Sequence, residues 1–234
     1  MSNKAKIAVS LIFFVICLFV IGCAEQSKIE HQEPLGPPPE DAEYGFKKLY
    51  YQKQLEQKYE NPWAHYQLAK LYFSDGWWNK AQFHGELAVQ FSPMMFEAQA
   101  LVIKTLIASG KESLAKVKLK EYTDLAGDDT GKLYMLGKQL RENNLNQYAY
   151  DIYQSAYSDE NTSADITREL GYYYLARGQK VMARKYFVES FELDPFQKDV
   201  AWELGRLGVA VKVQEKQDTQ TEQQIEENEP AREE

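Results

Sequence analysis

Three equally spaced lysines are the residues of this chain whose spacing most clearly suggests a shared chemistry. Lys70, Lys104 and Lys138 lie 34 residues apart, and the same step from Lys138 leads to Tyr172. If the 34-residue unit is structural, the lysines form one row on the folded chain. A row of ammonium groups attracts carboxylates, so the chemistry indicated is the binding of an acidic partner.

No catalytic or metal-binding pattern accompanies the lysines. The histidines are His31, His65 and His84, and none has the His-x-x-x-His spacing or a nearby cysteine that favours a metal site. No glycine-rich phosphate loop follows a strand, and no strand pattern is visible. The sequence therefore predicts no enzyme, no metal and no cofactor.

A 34-residue period runs through the middle of the chain. It connects aliphatic positions, alanines and turn-forming residues: Leu68, Val102, Leu136, Leu170 and Leu204; Ala81, Ala115, Ala149 and Ala183; Gly76, Gly110, Asn144 and Gly178. Four copies follow one another without insertion from Pro62, Phe96, Thr130 and Ala164. Each copy has apolar residues at helical spacing on both sides of its turn, so it predicts two short amphipathic helices. A helical bundle could imitate one copy by chance, but hardly four in register.

The period and these residue types resemble the tetratricopeptide repeat family from Pro62 to Pro195. The first, third and fourth copies match well, the fourth reading "ELGYYYLARGQKVMARKYFVESFELDP". The second copy is degenerate, with Ile103 where a small residue is expected. The resemblance implies an all-α fold, a right-handed α-solenoid of four tandem helix-turn-helix repeats with flanking helices.

Small residues should let the two helices of each repeat approach closely. Gly171 with Ala183, and Ala69 with Ala81, would supply such a pair where the helices cross. Ile103 should instead splay the helices of the second repeat. We therefore expect the second repeat to be the soft point of the array.

The N-terminus resembles the signal peptide of a bacterial lipoprotein. Two lysines precede an apolar run over residues 7–21, and a bilayer-spanning helix needs about 20 apolar residues. The run ends in "VIGC", similar to a lipobox, which implies cleavage after Gly22 and lipidation of Cys23. Ala24 in place of an Asp favours the outer membrane by the same resemblance. The alternative is a short, uncleaved signal anchor.

The predicted organisation places the repeats between polar flanks. The segments are a signal peptide at 1–22, a lipidated cysteine with a disordered Pro-rich tether at 23–42, an N-terminal helix at 43–61, repeats at 62–95, 96–129, 130–163 and 164–197, a C-terminal capping helix at 198–213, and an acidic disordered tail at 214–234. The capping helix carries an apolar stripe: Val200, Leu204, Leu207 and Val211. The net charge of −8 is concentrated in the tether and the tail, which argues against a nucleic-acid surface on the repeats.

The resemblance also implies where a partner binds, because the first helix of each tetratricopeptide repeat lines a concave groove. The implied groove residues are Tyr66, Lys70, Phe73, Lys104, Ile107, Tyr134, Lys138, Arg141, Arg168 and Tyr172. They would offer a cationic and partly apolar trough to a peptide with acidic and hydrophobic side chains. The alternative is that the lysines are only solvated. Carboxylate-clamp adaptors have Asn where these lysines stand, so their ligands are not implied.

These features predict a membrane-anchored adaptor or assembly factor of the bacterial cell envelope, in pilus, outer-membrane protein or peptidoglycan machinery. Its partners would be the lipid bilayer through Cys23 and an envelope protein in the groove, with no nucleic acid and no small-molecule substrate. The acidic tail is a candidate competitor for the same groove. The alternative is a structural protein that self-associates through its terminal helix, with Leu207 and Val211 buried between copies.

Overall fold

Ten α-helices and no strand make up the part of the chain that the computed structural model describes, which is residue 38 and residues 42–158 and 163–214. The helices are α1 (Tyr44–Gln57), α2 (Pro62–Ser74), α3 (Trp78–Phe91), α4 (Phe96–Ala108), α5 (Glu112–Ala126), α6 (Thr130–Glu142), α7 (Asn146–Ala156), α8 (Ala164–Ala176), α9 (Lys180–Leu193) and α10 (Lys198–Arg206). All of them belong to one compact unit, Asp41–Glu234. The predicted signal peptide, Cys23, almost all of the tether and the tail from residue 215 lie outside the described residues.

The helices pair in sequence and then stack. Four helix pairs form repeats 1 to 4: α2 with α3, α4 with α5, α6 with α7, and α8 with α9. The first helix of each repeat also contacts the first helix of the next repeat. The pairs begin at Pro62, Phe96, Thr130 and Ala164, the starts expected from the 34-residue period. The fold is the predicted all-α solenoid, and its row of first helices α2, α4, α6 and α8 forms one continuous layer.

Local sequence explains where the helices start and turn. The Asn61 side chain accepts a hydrogen bond from the Ala64 amide at 3.1 Å, and Pro62 follows it at the first helical position. Asp129 caps α6 in the same way. Between the helices of repeat 3, Asn144 has φ +63° and is the one non-glycine residue with positive φ in the described part of the chain. Glycine occupies the equivalent turn position of the other three repeats. The left-handed conformation of this position is unfavourable for residues with a Cβ atom, and glycine has none.

In repeats 3 and 4, the two helices fit because a glycine on the first helix faces a ring on the second. A Cβ placed on Gly171 would lie 2.6 Å from ring carbons of Phe187, and one on Gly137 would clash with the ring of Tyr153. The space beside Gly171 is therefore filled by Phe187, one turn beyond the Ala183 that we expected there. Ala183 is nevertheless fully buried at 0% exposure.

Repeats 1 and 2 have other residue types at the positions of this glycine and ring. Repeat 1 has Ala69 and Gly85 at the two equivalent positions, so both sides are small and the helices are in close contact. Repeat 2 has Ile103 and Leu119 there, which are both bulky. Helices α4 and α5 accordingly make the least extensive contact of the four pairs, in line with the splaying expected from Ile103.

Flanking elements cover both ends of the stack. Helix α1 packs on α2, where the Tyr44 hydroxyl donates to the Leu71 carbonyl at 2.7 Å and Tyr51 contacts the buried cluster of repeat 1. At the other end α10 packs on α9.

The capping helix is shorter than expected. It ends at Arg206 and not at residue 213, because the chain turns at Gly208, whose φ is +79°. Val211 still packs on the cluster of repeat 4, but from an extended segment. Leu207 and Val211 are thus partly buried against their own chain. None of the described helices combines the length and the apolar character needed to cross a bilayer.

Candidate binding cleft of repeats 3 and 4

A cleft of about 890 Å³ opens between helices α6, α7 and α8, with α10 at its rim. Five of the ten predicted groove residues line it: Tyr134, Lys138, Arg141, Arg168 and Tyr172. The cleft also contains residues that the sequence analysis did not assign to the groove: Tyr150, Tyr153, Glu169, Tyr173, Arg177 and Asp199. Tyrosine rings and cations therefore form most of its wall.

An ion pair between a half-exposed arginine and a buried carboxylate connects two walls of the cleft. Arg141 Nε on α6 lies 3.0 Å from Glu169 Oε2 on α8, and the Glu169 side chain is only 6% exposed. Burial raises the pKa of Glu169 above its usual value, and the guanidinium groups of Arg141 and Arg168 oppose this rise. The Glu169 carboxylate holds the Arg141 side chain in position. Burying this carboxylate in its charged form costs desolvation energy.

Arg168, the residue before Glu169 on α8, connects the same two repeats. Its Nη2 donates to the Tyr134 hydroxyl at 3.2 Å and lies 2.8 Å from Asp165 Oδ1. Tyr134 and Arg168 are 34 residues apart, so side chains at equivalent positions of successive repeats touch. This contact confirms that the first-helix surfaces of repeats 3 and 4 are continuous at this column.

The rim of the cleft carries a second carboxylate. Asp199, in the first turn of α10, accepts a hydrogen bond from the Tyr172 hydroxyl at 3.1 Å. Burial and this carboxylate raise the pKa of Tyr172 to about 12, so the phenol stays protonated and keeps donating. Opposite, the ring of Tyr173 stacks on Tyr150 with centroids 4.0 Å apart, and the Arg177 guanidinium lies 3.9 Å from the Tyr173 centroid.

Tyr153 contributes an unsatisfied polar group to the cleft. The side chain is 2% exposed, and its hydroxyl makes no well-formed hydrogen bond in the described part of the structure, although the Arg141 guanidinium lies near enough to oppose the rise in its pKa that burial causes. Leaving a buried hydroxyl unpaired costs about 1–3 kcal/mol. Because Phe187 stands 34 residues later and packs in the same way against Gly171, packing alone does not require this hydroxyl.

The other five predicted groove residues lie outside the cleft, on α2 and α4. Lys70 is exposed, with its Nζ 5.3 Å from the Tyr66 centroid. Lys104 lies with its Nζ 5.1 Å from the Phe73 ring and donates to Asn143 Oδ1 at 3.3 Å. Ile107 is half-buried beside the core cluster. The lysine row thus extends over three repeats, but only Lys138 belongs to the cleft.

A pair of histidines that the sequence did not connect meets inside repeat 1. His65 Nε2 lies 2.9 Å from the Tyr59 carbonyl, which can only accept, so His65 carries its proton on Nε2 and His84 donates from Nδ1 to His65 Nδ1 across 2.9 Å. Burial, then His65 and Lys80, lower the pKa of His84 to about 4. Among the described residues, no three His, Cys, Asp or Glu side chains are placed to hold a metal ion.

The 34-residue pattern missed Glu169 of α8 and Tyr153 of α7 for a physical reason. Glu169 and Tyr153 reach the cleft because helices of different repeats cross there, and a single-helix pattern does not report on such crossings. The one available signal was chemical: Tyr153 carries a hydroxyl where the equivalent residue of repeat 4 is Phe187.

Comparison with known proteins finds solved structures of tetratricopeptide-repeat proteins at low similarity. No family model matches the chain, and no curated protein matches it significantly. Similar solved structures include a tetratricopeptide-repeat protein of Thermus thermophilus, with 18% identity, covering 70% of this chain and 90% of that one at a TM-score of 0.41. PilF of Pseudomonas aeruginosa is 23% identical over 62% of this chain and 67% of that one, with a TM-score of 0.37. YrrB, described as a tetratricopeptide-repeat protein with an unusual peptide-binding site, is 16% identical over 70% and 84%, with a TM-score of 0.39. Identities and TM-scores this low carry no inference about function.

Proposed function

We propose that this protein is a membrane-anchored adaptor or assembly factor of the bacterial cell envelope, which binds an acidic, partly aromatic segment of a protein partner in the cleft of repeats 3 and 4. The observation that carries the proposal is the composition of that cleft. Lys138, Arg141, Arg168 and Arg177 line it with only Glu169 and Asp199 in opposition, and tyrosine rings fill the space between.

The cleft offers both components of peptide recognition. Lys138 makes no hydrogen bond or ion pair with any described residue, so its charge is available to a carboxylate of the partner. The Tyr150 and Tyr173 rings present rigid apolar area, which binds side chains at low entropic cost. The anchored location rests on the "VIGC" motif and the Pro-rich tether of the sequence.

Capture followed by titration tests the proposal. The full-length protein would be isolated from solubilised envelope with its bound partner, and the partner then titrated against the parent and against charge-reversal variants. Lys138→Glu should weaken binding by at least about tenfold, because reversal inside the cleft replaces an attraction with a repulsion. Raised salt should also weaken binding of the parent.

Two variants serve as matched controls. Lys185→Glu reverses a lysine on α9 that lies away from the cleft and is more exposed than Lys138, and this variant should bind like the parent. Lys70→Glu tests whether the lysine row acts beyond the cleft, and we expect a smaller effect because Lys70 lies on repeat 1. Parent-like affinity in a folded Lys138→Glu variant would remove the binding site from this cleft.

A further inference from the structure

The cleft carries more positive charge than its own acids neutralise. Glu169 is already paired with Arg141 at 3.0 Å, and Asp199 accepts from Tyr172. Arg177 stacks on Tyr173 and donates to the Gln147 side-chain oxygen, and no described carboxylate pairs with it or with Lys138. Lys138 and Arg177 are thus two cations of the cleft that no described carboxylate neutralises.

The Tyr153 hydroxyl is a second sign of a missing ligand. It is buried and lines the cleft, and it makes no well-formed hydrogen bond with a described residue, although the nearby Arg141 guanidinium opposes the rise in its pKa that burial causes. A carboxylate oxygen entering the cleft would accept its hydrogen bond and so recover the energy of the unpaired group. Water could satisfy a hydroxyl, but it would leave Lys138 and Arg177 without a counter-charge.

The chain leaves its described part beside this cleft. The Gln214 amide donates to the Pro195 carbonyl at 3.1 Å, and Val209 and Val211 pack on the same apolar cluster as Tyr172, which lines the cleft. The following residues, 215–234, contain eight acidic and two basic side chains. Twenty residues can extend to at most roughly 70 Å, so they reach every part of the cleft.

We propose that residues 215–234 of the chain itself occupy the cleft and regulate partner binding by competing for it. The inference rests on the proposed function, because it assigns a competitor to the same site. Attachment gives the segment an effective concentration in the millimolar range, so contacts too weak for a free peptide still hold it in place. A partner must then displace the segment, and its apparent affinity falls by the fraction of molecules whose cleft is free.

The test needs no partner protein. In a tail-neutralised variant of the full chain, every Glu of residues 215–234 becomes Gln and Asp218 becomes Asn. A fluorescent synthetic peptide of residues 215–234 is titrated against this variant and against the parent at low and raised salt. The neutralised variant should bind the peptide in a saturable, salt-sensitive manner, and the parent about tenfold more weakly, because its own segment fills the cleft.

Substitutions in the neutralised variant locate the binding. Lys138→Glu should abolish peptide binding, whereas Lys185→Glu should leave it unchanged. Carbodiimide treatment of the parent at high dilution should also couple tail carboxylates to Lys138, as detected by mass spectrometry, because a pair in contact reacts without a spacer.

The outcomes separate this inference from the proposed function. Absence of peptide binding to the neutralised variant, or binding that Lys138→Glu does not affect, overturns the inference. If the captured partner still responds to Lys138→Glu in that case, the adaptor function stands without internal competition. If the peptide binds at Lys138 but the partner does not, the cleft binds only residues 215–234 and the proposed function fails.

Discussion

The ring of Phe187 on α9 lies directly on Gly171 of α8, so close that a methyl group on Gly171 would come within 2.6 Å of two ring carbons. Phe187 is fully buried and has no space to move into. Gly171→Ala should therefore destabilise the protein by about 1–3 kcal/mol, despite the better helix propensity of alanine.

Gly205 provides the control for this substitution. It also lies in a helix, but no atom lies within 4 Å of where its Cβ would be. Gly205→Ala should be neutral or stabilise by up to about 1 kcal/mol. Urea unfolding of both variants measures the difference, and equal midpoints would contradict the packing described between α8 and α9.

Removing Arg141 should expose the cost of burying Glu169. Arg141→Met leaves the carboxylate without its 3.0 Å partner and should reduce the free energy of unfolding by about 1–3 kcal/mol near neutral pH. The pKa of Glu169 is raised in the folded protein above its usual value of 4.5. Its contribution to the free energy of unfolding is therefore fully present below pH 4.5 and is lost as the pH rises through the raised pKa. The deficit of Arg141→Met should consequently shrink at about pH 4.

Glu169→Gln gives the control for that experiment. With no charge to neutralise, the Glu169→Gln variant should tolerate Arg141→Met at both pH values, and unfolding of the four proteins forms a double-mutant cycle. A coupling free energy near zero at neutral pH would show that the ion pair does not hold the two helices together.

The histidine pair of repeat 1 predicts a loss of stability in acid. The pKa of His84 is lowered from 6.5 to about 4, so the unfolded chain binds more protons than the folded one between these values. The melting temperature should therefore fall as pH decreases through that window and should level off below it. His84→Gln should flatten this part of the curve. An imidazole signal of His84 that titrates near its ordinary pKa in NMR spectra would contradict the buried pair.

Helix α5 should be the least protected of the eight repeat helices. Only Ala115, Tyr122 and Ala126 of its residues are buried, while Leu114 and Val117 are exposed, and its pairing with α4 is loose. Native-state hydrogen exchange should find its amides opening at least about tenfold faster than those of α9. Protection equal to that of α9 would mean that Ile103 does not loosen repeat 2.

The anchor prediction concerns Cys23, which lies outside the described residues. Acylation of this residue would supply the two or more chains that stable membrane attachment requires. Cys23→Ser should release the protein from the membrane fraction or leave an unprocessed precursor. Fractionation and migration identical to the parent would exclude the lipoprotein assignment.

The sequence by itself was sufficient to predict the helices and their repetition. A turn residue that tolerates positive φ and apolar residues at helical spacing act within a few residues of one another, so their pattern is readable along the chain. For this reason the starts at Pro62, Phe96, Thr130 and Ala164 coincide with the observed helices, and Ile103 indicated the loosest pair.

Only the tertiary structure decided which side chains meet. The Arg141–Glu169 pair and the contact of His65 with His84 each join helices whose relative position depends on the packing of the helix interfaces. The end of α10 at Arg206 was decided in the same way, because the segment after Gly208 gains burial by packing back on repeat 4. Contact between distant residues depends on the volumes of all side chains at an interface, and a one-dimensional period does not contain that information.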